Sequence, residues 1–211
     1  MLSTTTPLGT LSAVASATRP YHHGNLRSAL LARAIDVMDE RGVQDLSLRE
    51  IARDVGVSHA APRRHFADRQ ALLDALALEG FERLGSELRR AVAQAGDAFP
   101  PRLDALARCY VAFATEHAAL LELMFATKRR HDYDALHEAA NRSLSILLEV
   151  IADAQAAGEL VPGDRERVAI PIFAALQGLT AMVNGGMLDA AQLDDAVTAA
   201  IGQLLDGLRP R

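Results

Sequence analysis

The sequence is poor in the residues that mark β-sheet, disulfide-bonded and membrane-spanning proteins. Aromatic side chains make up 4% of the 211 residues, tryptophan is absent, and Cys109 is the single cysteine. A lone cysteine excludes an intramolecular disulfide framework, so we expect a reducing, cytoplasmic environment. No uninterrupted apolar run approaches the roughly 20 residues of a membrane-spanning helix, and we expect no membrane partner. Short alternating runs of Val, Ile, Tyr and Thr are also missing, whereas Ala and Leu are abundant, which favours an all-α fold.

The negative net charge of −5 is unevenly distributed along the chain. Between Arg19 and Arg69, nine arginines stand against seven acidic residues, so this segment is +2 and the remainder is −7. Such asymmetry indicates that the N-terminal part meets a polyanion. Ordinary variation of surface charge is the alternative.

Capping and breaking signals divide the chain into a tail, a small domain and a larger one. Residues 1–18 carry no charged side chain and are interrupted by Thr, Ser, Pro and Gly, which indicates a disordered tail. Pro20 and Gly24 then predict an extended arm before an N-cap at Asn25. We expect domains at residues 19–70 and 71–211. The apolar periodicity predicts about nine helices, over residues 25–41, 47–55, 58–66, 69–95, 102–116, 118–127, 134–157, 165–188 and 192–208.

The segment LREIARDVGVSHAAPRRHF has the pattern of a helix-turn-helix. Ser47 and Glu50 have the spacing of a capping box at the start of the first helix. Ala52 is small enough for a second helix to cross closely, and Gly56 permits the positive φ of a sharp turn. Pro62 restricts the second helix to a short one, because a proline is tolerated only in a first turn.

The second helix of such a unit lies in the major groove, and its arginines pair with guanine or clamp a phosphate. Helix N-termini also receive phosphate oxygens, and Ser47 and Arg69 stand at two of them. The predicted partner is therefore double-stranded DNA, and a solvated helical hairpin is the alternative. The candidate DNA-binding residues are Ser47, Arg49, Ser58, His59, Ala60, Arg63, Arg64, His65 and Arg69.

Four short runs together resemble the DNA-binding domain of the TetR family: residues 46–52, 56–58, 65–66 and 71–73. The resemblance covers about residues 25–81. It implies an N-terminal three-helix bundle with the helix-turn-helix, followed by a larger helical ligand-binding and dimerisation domain.

The same resemblance implies roles for single residues. Phe66 would close the small core and His65 would touch a phosphate, whereas Arg63 stands where the family usually has tyrosine, so base specificity is not implied. Residues 21–27 and 58–62 further resemble the subgroup with a WHG-type C-terminal domain, although this chain has Gln177-Gly178 and no tryptophan there.

The C-terminal half lacks a catalytic constellation. Residues 96–211 hold no nucleophile–base pattern and no Gly-rich phosphate loop, so we expect no enzymatic activity and no cofactor. His131, Asp132, Asp134, His137 and Glu138 are close in sequence, but their spacing is too loose to indicate a metal site. We interpret them as solvated polar residues and expect no bound metal.

A pocket for a small-molecule effector is predicted in this half, since pockets are mainly apolar with a few convergent polar groups. Packing of an ordinary helical core would need the same residue types. The candidate pocket residues are Cys109, Tyr110, Phe113, His117, Met124, Phe125, Asn141, Phe173, Gln177 and Met182.

The last two predicted helices are rich in Ala, Gly and Leu, and the resemblance implies that they form a homodimer through a four-helix bundle. Covering the core of one chain is the alternative. Together, these patterns predict a repressor that binds an inverted-repeat operator and is released by a small molecule. Control by a protein partner, or a binding module or enzyme with a vestigial helix-turn-helix, are the competing hypotheses.

Overall fold

The computed structural model describes residues 23–129 and 133–208, which form eight α-helices and two 3₁₀ helices without strands. The all-α prediction is confirmed. The predicted tail and residues 19–22 of the predicted arm lie outside the described residues. The α-helices are α1 (His23–Arg41), α2 (Leu48–Asp54), α3 (Arg69–Gln94), α4 (Phe99–Glu116), α5 (Ala118–Lys128), α6 (Asp134–Ala156), α7 (Arg165–Asn184) and α8 (Ala190–Leu208). The 3₁₀ helices are Val43–Asp45 and Pro62–Arg64.

Helix α1 buries one apolar face against α3 and α5. Leu30, Ala34 and Met38 recur at i, i+4 and i+8 and are fully buried. The helix begins at His23, two residues before the predicted N-cap at Asn25. Gly24 is therefore inside the first turn, where its cost of about 1 kcal/mol relative to Ala does not prevent helix formation.

Helix α3 is the longest element and joins the two halves of the molecule. Its 26 residues span about 39 Å at 1.5 Å per residue. The predicted cap is confirmed, because the Asp68 carboxylate accepts a hydrogen bond from the Ala71 N–H at 2.8 Å. The helix packs against α1 and also against α4, α5 and α6, so that one continuous hydrophobic core runs along it.

Two glycines let neighbouring helices approach α3 closely. A Cβ atom at Gly80 would lie 2.6 Å from Met124 Sδ on α5, and one at Gly85 would lie 3.0 Å from Ser143 Oγ on α6. Ser143 also donates a hydrogen bond to the Phe81 carbonyl at 2.9 Å. Helix α3 is thus held tightly at the middle of its length.

Two predicted helix ends differ from the structure by three residues or more. Helix α4 begins at Phe99 rather than at residue 102, because Pro100 and Pro101 occupy its first turn, where a missing N–H breaks no hydrogen bond. Helix α7 ends at Asn184 rather than at residue 188, because Gly186 adopts a φ of 70° and turns the chain.

Candidate nucleic-acid interface and cavity

A glycine turn ends α2 and redirects the chain. Gly56 has a φ of 77°, as predicted. The Val57 N–H donates to the Ala52 carbonyl at 2.9 Å, and the Gly56 N–H donates to the Arg53 carbonyl at 3.1 Å. This pair of bonds is a Schellman motif, which satisfies the last carbonyls of a helix. Ala52 is fully buried, and the 3₁₀ helix Pro62–Arg64 that follows the turn contacts α2.

The segment after this turn is not the α-helix predicted over residues 58–66. It consists of turns followed by the 3₁₀ helix Pro62–Arg64. Pro62 has no N–H, so the i→i−4 bond to Ser58 cannot form. The Ser58 carbonyl accepts instead from the Ala61 N–H at 2.9 Å, and the Pro62 carbonyl accepts from His65 and Phe66.

Phe66 anchors this short segment to the small core. Phe66 is only 1% exposed, and Pro62, four residues earlier, is also buried. The Arg27 guanidinium of α1 lies 5.8 Å from the centre of the Phe66 ring, within the range of a cation–π contact. The segment is therefore held by its apolar side chains more than by its own hydrogen bonds.

The arginines of the N-terminal half fall into paired and unpaired groups. The paired ones are Arg33 with Asp36, Glu40 and Asp54, Arg41 with Glu50, and Arg53 with Glu50 and Asp54. The side chains of Arg49, Arg63 and Arg64 are exposed and form no ion pair or hydrogen bond with any described residue. Their charges are free to meet an external anion.

The predicted capping box at the start of α2 does not form. Ser47 has the extended backbone of an N-cap, but its hydroxyl makes no capping hydrogen bond. The Glu50 carboxylate instead accepts from Arg41 of α1 at 3.0 Å. A charge-assisted bond between helices thus replaces the local reciprocal bond.

A cavity of about 460 Å³ lies in the C-terminal half, between α3, α4, α5, α6 and α7. This volume is typical of small-molecule sites. Four rings line one continuous wall, with centroid separations of 5.7 Å for Tyr110–Phe173, 6.3 Å for Phe173–Phe125 and 6.0 Å for Phe125–Phe81. Aliphatic side chains form most of the remaining lining, namely Leu84, Leu88, Leu106, Leu147, Leu148 and Leu176.

Comparison with known proteins assigns both halves of the chain to families. Residues 30–76 match the bacterial regulatory proteins of the tetR family, and residues 103–207 match the tetracyclin repressor-like C-terminal domain. This chain belongs to the TetR family. It is therefore a DNA-binding transcriptional regulator. The matching C-terminal description names no WHG-type subgroup, so that assignment stays a prediction.

Two solved structures show the similarity over nearly the whole chain. A protein of unknown function from Rhodococcus sp. RHA1 is 47% identical with a TM-score of 0.83, covering 92% of this chain and 100% of its own. A bacterial regulatory protein in the tetR family from Rhodococcus RHA1 is 20% identical with a TM-score of 0.66, covering 87% of this chain and 97% of its own. At 20% identity, the second similarity concerns the fold alone. No curated protein matches the chain.

The candidate DNA-binding residues of this TetR-family protein lie along α2, the following turns and the start of α3. All are exposed except His65, which is half-buried with its ring centroid 6.3 Å from that of Phe66. Arg69 differs from the other arginines, since its guanidinium donates to the Val43 carbonyl at 2.6 Å. The exposed candidates are Ser47, Arg49, Ser58, His59, Ala60, Arg63, Arg64 and Arg69.

Three of the ten candidate pocket residues line the cavity, namely Tyr110, Phe125 and Phe173. The other seven lie elsewhere: Phe113, Met124 and His117 are buried, Cys109 and Gln177 are half-buried, and Asn141 and Met182 are exposed. Burial raises the pKa of the Cys109 thiol. The prediction did not include Phe81, Leu84 and Leu88 on α3, which have the same apolar character as core residues.

The loose acidic and histidine cluster after α5 is only partly described. His131 and Asp132 lie outside the described residues. His137 Nδ1 lies 3.0 Å from the Tyr133 carbonyl, within hydrogen-bond distance at the start of α6. Among the described residues, no three His, Cys, Asp or Glu side chains converge in a way that could hold a metal ion.

A buried histidine links the two halves at the break between α4 and α5. His117 Nδ1 lies 2.6 Å from the Asp39 carboxylate on α1, and the His117 ring packs edge-on against Phe113 with centroids 5.2 Å apart. His117 Nε2 has no hydrogen-bond partner among the described residues. The Asp39 carboxylate is therefore the hydrogen-bond partner that the structure gives this buried ring.

Replacing Asp39 by alanine is expected to lower the free energy of unfolding by about 1–3 kcal/mol, because His117 would then be buried without a partner. Urea denaturation followed by circular dichroism measures this change. Asp36→Ala is the matched control on α1, since Asp36 makes only a 3.9 Å contact with Arg33. Equal urea midpoints for the two variants would contradict the prediction.

Proposed function

We propose that this TetR-family protein is a repressor that binds an inverted-repeat operator as a homodimer and is released by a small molecule. The observation that carries the proposal is the pair Arg63 and Arg64. These two cations lie exposed after the glycine turn of a helix-turn-helix and have no partner among the described residues. Cations in this position pair with base edges or phosphates of the major groove.

We place the domain boundary at residues 70 and 71, so that α3 belongs mainly to the regulatory domain while its first turn touches the DNA-binding domain. The Arg69 bond to the Val43 carbonyl supports this arrangement, because it fixes the start of α3 to the 3₁₀ helix before α2. The bond between Asp39 and His117 is a second connection between the domains. A ligand-induced movement of α3 or α5 would thus be transmitted to the segment that we propose contacts the bases, residues 62–64, which we call the reading segment.

The faces of α7 and α8 support dimerisation through these two helices. By length and composition α7 is apolar enough to cross a membrane, with a mean hydropathy of 1.3 over 18 residues, yet only 28% of that stretch is buried within the chain. Met182, one turn after Gly178 on α7, is 40% exposed. Gly178 on α7 and Gly202 on α8 have open space where a Cβ would stand. A second copy of the chain would cover this apolar, small-residue surface.

Charge placed on this face is expected to separate the protomers. Gly178→Arg should weaken dimerisation and, with it, binding to an inverted repeat, because an arginine would be buried without a partner in the bundle. The added side chain meets no atoms within 4 Å of its Cβ in the monomer. Sedimentation velocity at micromolar concentration measures the oligomeric state.

Ser86→Arg on the exposed face of α3 is the control for this variant and should remain dimeric. If Gly178→Arg sediments as the wild type does, the last two helices are not the dimer interface.

Selection of bound fragments from the host genome, followed by footprinting, tests the proposed function as a whole. We expect protected half-sites about 34–36 Å apart, or a multiple of that spacing, because two reading segments must face one side of the duplex. A monomeric protein without a footprint on any selected fragment would overturn the proposal. Release by a small molecule is favoured over control by a protein partner, because an apolar cavity of small-molecule size lies between five helices.

A further inference from the structure

Tyr110, in the lining of the cavity, carries a buried polar atom that the described residues leave without a partner. Tyr110 on α4 lines the cavity and is 4% exposed, and its hydroxyl makes no hydrogen bond with any described residue. Buried hydroxyls in folded proteins are almost always hydrogen-bonded, because an unsatisfied one destabilises the structure. Because the Tyr110 side chain lies in the lining, a ligand in the cavity that reaches this hydroxyl would supply the partner that the described residues do not.

The protonation state of the Tyr110 hydroxyl limits the chemical groups to which it can hydrogen-bond. Burial raises the pKa of Tyr110 above its ordinary value, so the phenol stays protonated at neutral pH. A protonated phenol donates a hydrogen bond to an oxygen acceptor. The other hydroxyl in the lining, that of Ser143, already has acceptors for its single proton, because the carbonyls of Phe81 and Ala139 lie 2.9 and 3.1 Å from its oxygen.

Among the described residues, charged groups line the cavity at two positions, Lys128 at the end of α5 and Glu166 at the start of α7. Glu166 is exposed and Lys128 half-buried, and the exposed Leu144 and Ile170 lie with them in the lining. We place these four residues at the open edge. The interior around Tyr110 thus offers no cation to compensate a buried anion, whose desolvation is costly.

The walls of the cavity favour a ligand that is apolar over most of its surface. The four rings from Tyr110 to Phe81 form one side, and leucines form much of the other. Offset and edge-on packing against such rings suits flat or aliphatic hydrocarbon.

We propose that the cavity binds a neutral, mostly apolar molecule whose single acceptor oxygen, such as a ketone or ester carbonyl, accepts a hydrogen bond from the Tyr110 hydroxyl. The inference rests on the proposed function for its biological role, since this molecule would be the effector. Binding itself is measured without DNA.

Matched triplets of a ketone, its parent hydrocarbon and the corresponding carboxylate, at several sizes, test the ligand class. Affinity is measured by displacement of the neutral dye N-phenyl-1-naphthylamine from the full-length protein. We expect the ketone to bind roughly two- to tenfold more tightly than the hydrocarbon of the same triplet, as one net hydrogen bond provides. We expect each carboxylate to bind more weakly than its ketone.

Tyr110→Phe removes the hydroxyl and keeps the ring, so it should abolish the preference for ketone over hydrocarbon without weakening the binding of hydrocarbon. Tyr133→Phe is the matched control, because Tyr133 precedes α6 outside the cavity lining, and it should keep the wild-type preference. A preference for carboxylates, a ketone preference that survives in Tyr110→Phe, or no binding in any triplet would overturn the inference. A water molecule that permanently satisfies the hydroxyl would give equal affinities for ketone and hydrocarbon, which also overturns it.

Failure of this inference is distinguishable from failure of the proposed function. Without ligand, Tyr110→Phe should bind operator fragments as the wild type does. Operator binding without ketone preference refutes only the ligand class. Ketone preference without operator binding refutes only the repressor function.

Discussion

Replacement of Arg63 and Arg64 by alanine is expected to weaken operator binding by about 1–3 kcal/mol for each arginine that contacts a base edge. Both side chains are exposed and have no described partner, so their loss removes no internal contact and the stability should stay unchanged. Fluorescence anisotropy with labelled operator measures the affinity, and thermal unfolding checks the fold.

The salt dependence separates the two possible roles of each arginine. Loss of a phosphate contact weakens binding to all sequences alike and reduces the slope of log affinity against log salt by about one. Loss of a base contact instead relaxes specificity at one position. Arg142→Ala is the matched control, because Arg142 is exposed on α6 near Glu82 and Glu138 and far along the chain from the turn. Wild-type affinity in the double variant would show that residues 62–64 are not the reading segment.

Truncation of Phe66 to alanine should cost about 3–5 kcal/mol of stability, as for other fully buried phenylalanines. The segment after Gly56 has few hydrogen bonds of its own, so loss of the ring should also release Arg63 and Arg64 from their positions. We expect a lower urea midpoint together with loss of operator binding under conditions where the regulatory domain remains folded.

Phe125→Ala provides the comparison for this variant. Phe125 is half-buried in the cavity wall of the other domain, and its truncation should leave operator binding intact at 25 °C. If Phe66→Ala unfolds at the wild-type urea concentration, then Phe66 does not hold the small core together.

Local chemistry explains which helix ends could be predicted from the sequence. Asp68 caps α3 as predicted because its partner, the Ala71 N–H, is three residues away. Ser47 and Glu50 have the equally good local pattern of a capping box. The Glu50 carboxylate on α2, however, accepts a hydrogen bond from Arg41 on α1, nine residues earlier. A sequence pattern cannot weigh such a contact before the fold is known.

The cavity was harder to predict than the DNA-binding segment for a related reason. Helix-turn-helix signals lie within 20 consecutive residues, whereas the cavity gathers side chains from five helices. Leucines that line a void and leucines that fill a core have the same periodicity, as Leu84 and Leu88 on α3 illustrate. The pairing of Asp39 with His117, 78 residues apart, has no local signal at all.

The close packing of α5 and α6 against Gly80 and Gly85 fixes the middle of α3. If the helix rotates, it would therefore rotate about this point, its fulcrum, and its ends would move furthest. About 16 residues, or roughly 24 Å, separate Gly85 from the Arg69 end. A rotation of about 5° at the fulcrum would then displace that end by about 2 Å. In a symmetric pair both ends move, so the separation of two reading segments would change by up to about 4 Å against a required spacing of about 34 Å. A bulkier residue at either glycine would shift the fulcrum, and with it the displacement of the Arg69 end that a given rotation of the helix produces.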